Sequence, residues 1–323
     1  MAFTFPHSAV SLDILPNELL LQILASFPTR TLLPLAAVSH RFYDLVLRIL
    51  HHRLILASTL QDHSLLLECF HPTRRLTEPS LPCEYMGTEG LTSEIAPGED
   101  VYPELRNAGA LGKLNGVYSR FRPRPDAGHK IRRRHPAGDV PGHPNTSTTF
   151  PSFREEPKSD IVSQTIDLDG DEYFSQLCAK TMLIRHGPRH GVFLSFVEVA
   201  EGVIRVWRNW LGKQAALKPS MEDSQLPSTS AQGQCDRRGQ ERMLFVDSAK
   251  NVGIKFRVTE NKTQDVAPIL RRKDEDLPVS YNVEYEELRI RTTHLLLKIE
   301  HAVQKEENHS GKAMVFGSFD LTV

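Results

Sequence analysis

LDILPNELLLQILASFPTRTLLPLAAVSHRFYDLVLRIL, from Leu12 to Leu50, is the most strongly patterned stretch of this sequence. Its apolar residues recur at the three- to four-residue spacing of helices, and prolines and a serine divide it into three segments. Pro16 suits the first position of a helix, where its missing N–H needs no partner, and Pro28 ends that helix. Ser39 is suited to cap a third helix. The stretch therefore predicts three short amphipathic helices.

The second predicted helix is the shortest. Thr29 or Thr31 can cap it, which places Pro34 in its first turn, where a proline is tolerated. The third helix has the clearest periodicity. Its apolar residues repeat at i, i+3, i+4, i+7 and i+8: Phe42, Leu45, Val46, Ile49 and Leu50.

These helices carry more apolar surface than so small a unit can bury in itself. The first helix has Leu19, Leu20, Ile23, Leu24 and Phe27 at helical spacing, and Leu21 widens the stripe beyond one packing face. A unit of roughly 40 residues is also near the size below which chains usually need a disulfide, a metal or association to stay folded. The sequence therefore predicts a protein partner for this unit.

The ordered pattern Leu-Pro-x-Glu-Leu-Leu, Ile-Leu, Pro-x-x-x-Leu and Leu-Ala-x-Val-Ser-x-x-Phe, from Leu15 to Phe42, closely resembles the F-box. The resemblance implies docking onto a small Skp-type adaptor, which joins the chain to a cullin scaffold carrying a RING subunit, while the downstream region selects an unknown protein for ubiquitination. Phe42 stands where many members have tryptophan. The alternative is a helical unit packed on the downstream domain. By position, the resemblance implies adaptor-facing or supporting roles for Leu15, Pro16, Leu19, Leu20, Ile23, Leu35, Val38 and Phe42.

Composition limits the remaining function classes. A length of 323 residues allows the F-box and one sizeable domain, and a net charge of −1 gives no overall field for nucleic acid or membranes, neither of which is expected as a partner. The four cysteines are scattered, which suits a reducing compartment. Without a basic-then-apolar leader or a stretch of about 20 apolar residues, the chain is expected inside the cell, in the cytoplasm, the nucleus or both.

The predicted fold class is α+β with several domains. Residues 10–56 are the F-box, 57–117 a helical extension and connector, and 118–160 a basic, Pro/Ser/Thr-rich flexible segment. Residues 161–323 form a mostly antiparallel β domain, a β-sandwich or jelly roll, with a disordered insertion at about 218–242. The helical extension is expected to run through Leu56 to Phe70.

Alternating apolar residues support the β prediction. Residues 193–208 predict a hairpin that turns at Glu201-Gly202, and five later segments predict strands. The pair Glu286-Glu287 shifts the alternation between Tyr285 and Leu288, as a β-bulge does. The five segments are MLFVD, VGIKFRV, VSYNVEYEELRIR, HLLLKIE and MVFGSFDLTV.

Further segments extend the resemblance. LTEPSLPCEYMGTEGL, GEDVYPELRN, RRHPAGDVPGHP and GVIRVWRNWLG resemble segments of a group of F-box proteins from filamentous fungi. SQTIDLDGDEYFSQL and the strands after it resemble the jelly-roll domain of sugar-recognising F-box proteins. There a terminal strand carries a tryptophan-rich sugar-binding segment, whereas this chain ends VFGSFDLTV, which argues against glycan binding.

The basic run YSRFRPRPDAGHKIRRRH, residues 118–135, supports several interpretations. It suits a nuclear-import signal, a contact with an acidic or phosphorylated target, or nucleic-acid binding with Tyr118 and Phe121 stacking on bases. A solvated loop is the simplest alternative.

Little in the sequence suggests catalysis. DLDGDE, at Asp167–Glu172, has its glycine too early for a calcium loop and predicts a turn, and glycines and a proline around His186 and His190 argue against a zinc-binding helix. No nucleotide-binding or RING-type motif is present, so we expect a non-catalytic receptor without metal or cofactor. Trp207 and Trp210 suit either target anchors or core residues, with the core favoured for Trp207. Alternatives are an adaptor-bound protein with a non-ligase role, a glycan or small-ligand binding module, or an enzyme.

Overall fold

A computed structural model describes residues 15–74, 80–91, 109–125, 161–187, 193–217, 242–261 and 277–308. The helices are α1 (Asn17–Ala25), α2 (Thr29–Leu35), α3 (His40–Ser58), α4 (Ala110–Asn115), α5 (Arg208–Ala216) and α6 (Thr292–Asn308). The strands are β1 (His63–Phe70), β2 (Leu81–Thr88), β3 (Tyr118–Pro123), β4 (Ser163–Leu168), β5 (Phe174–His186), β6 (Phe193–Trp207), β7 (Met243–Phe245), β8 (Val252–Glu260) and β9 (Val279–Arg291). A 3-10 turn spans Pro72–Arg74.

The three predicted N-terminal helices are confirmed. Ser39 caps α3, its side chain accepting a hydrogen bond from the backbone N–H of Phe42 at 3.3 Å. Two details differ from the prediction. Pro16 is the extended cap residue before α1, and Pro34 lies in the second turn of α2 because Pro28 caps that helix and Thr29 begins it.

All nine strands belong to one antiparallel sheet, which confirms the α+β class with helices first and a mostly β domain after them. The strand order is β6-β5-β1-β2-β3-β9-β8-β7, and β4 pairs with β9 beside β3. Among the described residues the strands form one continuous sheet, where the sequence predicted the two stacked sheets of a sandwich or jelly roll. Instead the sheet curls until its two ends approach each other, and the buried side chains of its strands share one core.

Gly202 marks the place where the ends of the sheet meet. A Cβ atom on Gly202 would lie 2.5 Å from the carbonyl oxygen of Val246, just beyond β7. The predicted hairpin turn at Glu201-Gly202 is therefore wrong, since β6 continues through both residues and pairs with β5. The glycine serves a close backbone approach, the other common reason for glycine inside a strand.

Three further segments differ from the sequence prediction. Residues 63–70 form β1 instead of extending a helix, and residues 118–123 form β3 inside the sheet instead of a flexible segment. HLLLKIE lies in α6, not in a strand. The predicted terminal strand MVFGSFDLTV and residues 218–241 of the predicted insertion lie outside the described residues.

The bulge near the end of β9 is confirmed. The pairing of β8 with β9 shifts register between Lys255 and Phe256, which leaves Glu286 as the extra residue. Tyr281, Val283 and Tyr285 before the bulge are buried, and so are Leu288 and Ile290 after it.

Helix α3 connects the N-terminal helices to the sheet. Toward α1 and α2, its Leu45, Val46, Ile49 and Leu50 complete a core of their own. Toward α4 and α6, Leu47, Leu54 and Ala57 pack against Leu114 and Leu296. The two parts of the molecule therefore share one helix and an apolar contact.

Candidate functional site

Helix α1 presents one buried and one exposed apolar face. Leu20 is 2% exposed and packs with Leu24 in the core of the three helices. Leu19 and Ile23, one turn apart, are 44% and 47% exposed. Because both are large aliphatic side chains on an ordered helix, they are suited to packing against another protein.

A second exposed apolar region follows at the end of α2. Val38 is 67% exposed and Leu33 is also exposed, while Leu32 and Leu35 pack inward. With α1, this gives the three-helix unit two apolar surfaces that its own core does not cover.

The residues implied by the motif divide into three groups in the structure. Pro16, Leu19, Ile23 and Val38 are exposed, whereas Leu20 is buried and can only support the fold. Leu15, Leu35 and Phe42 are partly buried against the core that contains Leu20.

Two exposed apolar residues were missed as candidates, Phe27 and Leu33. The helical stripe that contains Leu19 and Ile23 already pointed to Phe27, while the position of Leu33 depends on how α2 packs.

A polar cluster, the Glu300 clamp, fixes the three helices against α6. The carboxylate of Glu300 accepts hydrogen bonds from the backbone N–H of Thr29 at 3.1 Å and from its hydroxyl at 2.6 Å. A carboxylate at this helix N-terminus supplies an acceptor for an otherwise unpaired N–H group. Arg53 donates to both Glu300 and Thr29 at 3.1 Å. Arg53 also donates to the carbonyls of Ala25 and Phe27, at 3.0 and 2.7 Å, and so caps the end of α1.

A cleft of about 620 Å³ opens beside the Glu300 clamp, between the three helices and α6. Phe27 lines it from the end of α1, Leu56 from α3 and Val303 from α6. All three side chains are exposed. Charged groups, among them Arg53 and Asp62, also line the cleft. It therefore has apolar walls with polar groups between them.

The outer face of β6 is a separate apolar surface. Leu194, Phe196, Val203 and Trp207 are exposed along it. Trp207 is 49% exposed, and its ring lies 5.1 Å from that of Phe174 on β5. The core role favoured for Trp207 is therefore wrong, because the strand ends there with the ring on the outside. Trp210, one turn into α5, packs against the core instead, with its ring 6.5 Å from that of Phe256.

Arg120, in the described part of the basic run, is held within the fold. Arg120 donates through Nε to Glu287 at 2.7 Å and also pairs with Glu89. Burial opposes its charge, but these two carboxylates outweigh that cost and raise the pKa of Arg120. Phe121 is fully buried, so it cannot stack on a base as the nucleic-acid interpretation requires. Residues 126–135 lie outside the described residues.

The described residues of the two metal-like motifs lie in a turn and at the end of a strand. Asp169–Glu172 form the predicted turn, with the backbone N–H of Glu172 donating to the carbonyl of Asp169 at 3.1 Å. His186 lies at the end of β5, 2.8 Å from the Ser64 hydroxyl, and His190 is outside the described residues. Within the described ranges, no three metal-binding side chains of the His, Cys, Asp or Glu type lie together.

Cys69, which is buried, and Cys83, which is partly buried, are poor nucleophiles. Burial raises the pKa of Cys69 to about 12 and also raises the pKa of the Cys83 thiol. Because the thiolate is the reactive form, both side chains act as packing groups at neutral pH. Cys178 is partly exposed on β5, and Cys235 lies outside the described residues.

No helix in the described part of the chain has both the length and the apolar character to cross a membrane.

Comparison with known proteins identifies the three-helix unit. The family model described as F-box-like matches residues 12–57, which include α1, α2 and nearly all of α3. Neither the curated proteins nor the solved structures contain a match to this chain.

Proposed function

We propose that this F-box protein, whose F-box-like domain spans residues 12–57, is the substrate-recognition subunit of a Skp–cullin–F-box E3 ubiquitin ligase. One observation carries the proposal. Leu19, Ile23 and Val38 stay exposed on a three-helix unit whose own core is complete. The described part of the chain leaves these side chains uncovered, and a Skp-type adaptor would cover them.

The exposed side chains would contribute much of the binding energy of a complex. Complete burial of a large apolar side chain contributes about 1.5–3 kcal/mol, and those already half buried contribute about half as much. Five such side chains on the three-helix unit would together contribute about 4–8 kcal/mol, and polar contacts around them would add to this against the cost of association. They are Leu19, Ile23, Phe27, Leu33 and Val38.

The β domain would bind the protein target. Its outer face at β5 and β6 has aromatic side chains, and aromatic residues often contribute most of the binding energy at interfaces. The ring of Trp207 lies beside that of Phe174 there, and the exposed Tyr173 precedes Phe174 in the sequence. Arg205, whose guanidinium lies 5.6 Å from the Phe174 ring centre, adds a positive charge.

In this role the chain is not a catalyst. It holds the target near the ubiquitin-loaded enzyme, and this proximity is how it speeds ubiquitin transfer. The Glu300 clamp serves that role, because it joins the adaptor-binding helices to the β domain through ordered side chains. A receptor of this kind needs no cofactor and acts where its cullin partner acts, in the cytoplasm, the nucleus or both.

A second candidate function is ligand binding by the β domain. The exposed Trp207, with the partly buried Phe174 beside it, also suits stacking on the apolar face of a sugar or another small ligand. An adaptor-bound protein with a non-ligase role is distinguished by its failure to recruit cullin.

Co-purification of the full chain with a Skp-type adaptor and cullin tests the proposal. We expect wild type to retain both subunits and Ile23→Asp to lose both. Ile161→Asp is the matched control, because Ile161 is 48% exposed but belongs to the β domain. Retention of adaptor without cullin would support the non-ligase role, and failure of the wild type to retain adaptor would contradict the proposal.

A further inference from the structure

We infer that the adaptor-binding surface continues beyond the F-box into the cleft beside α6, so that the adaptor also contacts Val303. This inference rests on the proposed function and extends its binding site. Val303 lies far outside residues 12–57, so the contact would belong to this chain and not to its F-box-like domain.

Exposed apolar residues lead from α1 into the cleft. Leu19 and Ile23 lie one turn apart on one side of α1, and Phe27 follows two residues after the helix ends. All three side chains are exposed. Phe27, at the end of the series, is also a wall of the cleft. A partner that covers Leu19 and Ile23 therefore reaches the cleft without leaving apolar surface.

The opposite walls of the cleft are apolar too. Leu56 of α3 faces it, and so does Val303 of α6, which is 39% exposed, with Ile299 one turn earlier. The volume of about 620 Å³ is large enough for several side chains of a partner. An apolar surface formed by α3, α6 and the connector between α1 and α2, and bordered by charged groups, is typical of a protein interface.

The walls are held in place without the partner. Glu300, one turn before Val303, accepts hydrogen bonds from Thr29 and from Arg53, and Arg53 holds the carbonyls of Ala25 and Phe27. These bonds fix α6 against the end of α1. A partner therefore meets a formed cleft and does not have to order it, which lowers the cost of binding.

The adaptor is the occupant that this continuity selects. The cleft shares Phe27 with the exposed stripe of α1, so a separate protein in the cleft would compete with the adaptor for that side chain. One partner that covers both surfaces buries all of these apolar groups at once.

Calorimetric titration of the full chain with a purified Skp-type adaptor tests the inference. We expect Val303→Lys to weaken binding about tenfold, equivalent to about 1.4 kcal/mol. Lysine is chosen because a carboxylate three residues from Glu300 would disturb the Glu300 clamp. Leu217→Lys, at a side chain also 39% exposed but at the end of α5, should bind as wild type does. Ile23→Asp should abolish binding.

The outcomes separate this inference from the proposed function. Wild-type affinity of Val303→Lys, with loss of binding by Ile23→Asp, overturns the inference and leaves the proposed function intact. Wild-type affinity of both variants contradicts the proposed function itself. A photo-crosslinking residue at position 303 gives a result that does not depend on how the lysine variant folds. Crosslinking to the adaptor supports the contact, and its absence, when position 23 does crosslink, overturns it.

Discussion

Glu300 of α6 caps Thr29, the first residue of α2, across a separation of 271 residues in the sequence. The capping carboxylate therefore comes from the part of the chain that follows the sheet, while the helix belongs to the F-box. Arg53 completes the arrangement by bonding to both residues. The F-box and the β domain are thus joined by directional bonds in addition to apolar packing.

Glu300→Ala is expected to lower the free energy of unfolding by about 1–3 kcal/mol, because it leaves the Thr29 N–H without its acceptor and the Arg53 guanidinium without its counter-charge. Urea denaturation measures the change. Lys305→Ala, at an exposed position on the same helix, should change stability by less than about 0.5 kcal/mol. Equal effects of the two substitutions would show that the Glu300 clamp does not stabilise the fold.

Gly202→Ala is expected to destabilise the protein by about 1–3 kcal/mol, because the added methyl group would overlap the Val246 carbonyl oxygen and push the ends of the sheet apart. Thermal denaturation followed by circular dichroism measures the loss. Gly112→Ala in α4 is the matched control, since a Cβ there meets nothing within 4 Å. In a helix this change should stabilise the protein by about 0.5–1 kcal/mol. A Gly202→Ala protein as stable as wild type would contradict the close approach of Val246.

Glu286 should make stability sensitive to acid. Burial alone would raise the pKa of its carboxyl, but Lys255 and Arg257 outweigh burial and lower the pKa below 4.5. The unfolded chain therefore binds this proton at higher pH than the folded chain. The stabilisation is present above the unfolded pKa and is lost as pH falls through the folded value.

Urea midpoints from neutral pH to about pH 3 measure this dependence. Glu286→Gln should be less stable than wild type at neutral pH and should lose less stability on acidification. If the stability of wild type and of Glu286→Gln depends on pH in the same way, the salt bridges of Glu286 with Lys255 and Arg257 make no net contribution to stability.

The two tryptophans should differ in their access to solvent. In Trp210→Phe the remaining Trp207 is expected to be quenched strongly by acrylamide, whereas in Trp207→Phe the remaining Trp210 should be protected. The difference follows from the exposed ring of Trp207 and the packing of Trp210 against the core. Similar quenching of the two variants would remove Trp207 from the proposed target-binding surface.

Sequence patterns were sufficient where the structure depends on near neighbours. The three helices, the Ser39 cap and the bulge at Glu286 follow from spacing and residue type within one segment. The α+β class follows from the spacing of the apolar residues, which is helical in the first part of the chain and alternates in the later part.

The errors concern features that distant residues decide. SLLLECF and HLLLKIE are short apolar runs that fit either a helix or a strand. Pairing with β5 makes the first run a strand, and packing against α3 makes the second run a helix. Gly202 suits a turn or a close approach, and only the position of Val246 distinguishes them.

The candidate site shows the same limit. Leu19 and Leu20 are adjacent and chemically identical, yet one is exposed and the other buried, because α3 packs against only one side of α1. The motif therefore predicted the surface but could not separate contact residues from supporting ones. The cleft beside α6 was not predicted, because its walls bring the N-terminal helical region together with α6, which is distant in sequence.

The most direct test of the central claim is the affinity of the full chain for a purified Skp-type adaptor, measured for wild type, Ile23→Asp and Ile161→Asp. Our account predicts tight binding by wild type and by Ile161→Asp, and a loss of at least about a hundredfold for Ile23→Asp, equivalent to about 2.7 kcal/mol. Circular dichroism should show that Ile23→Asp remains folded, because Ile23 lies outside the core. Unchanged binding by a folded Ile23→Asp would contradict the claim that the exposed face of α1 binds the adaptor.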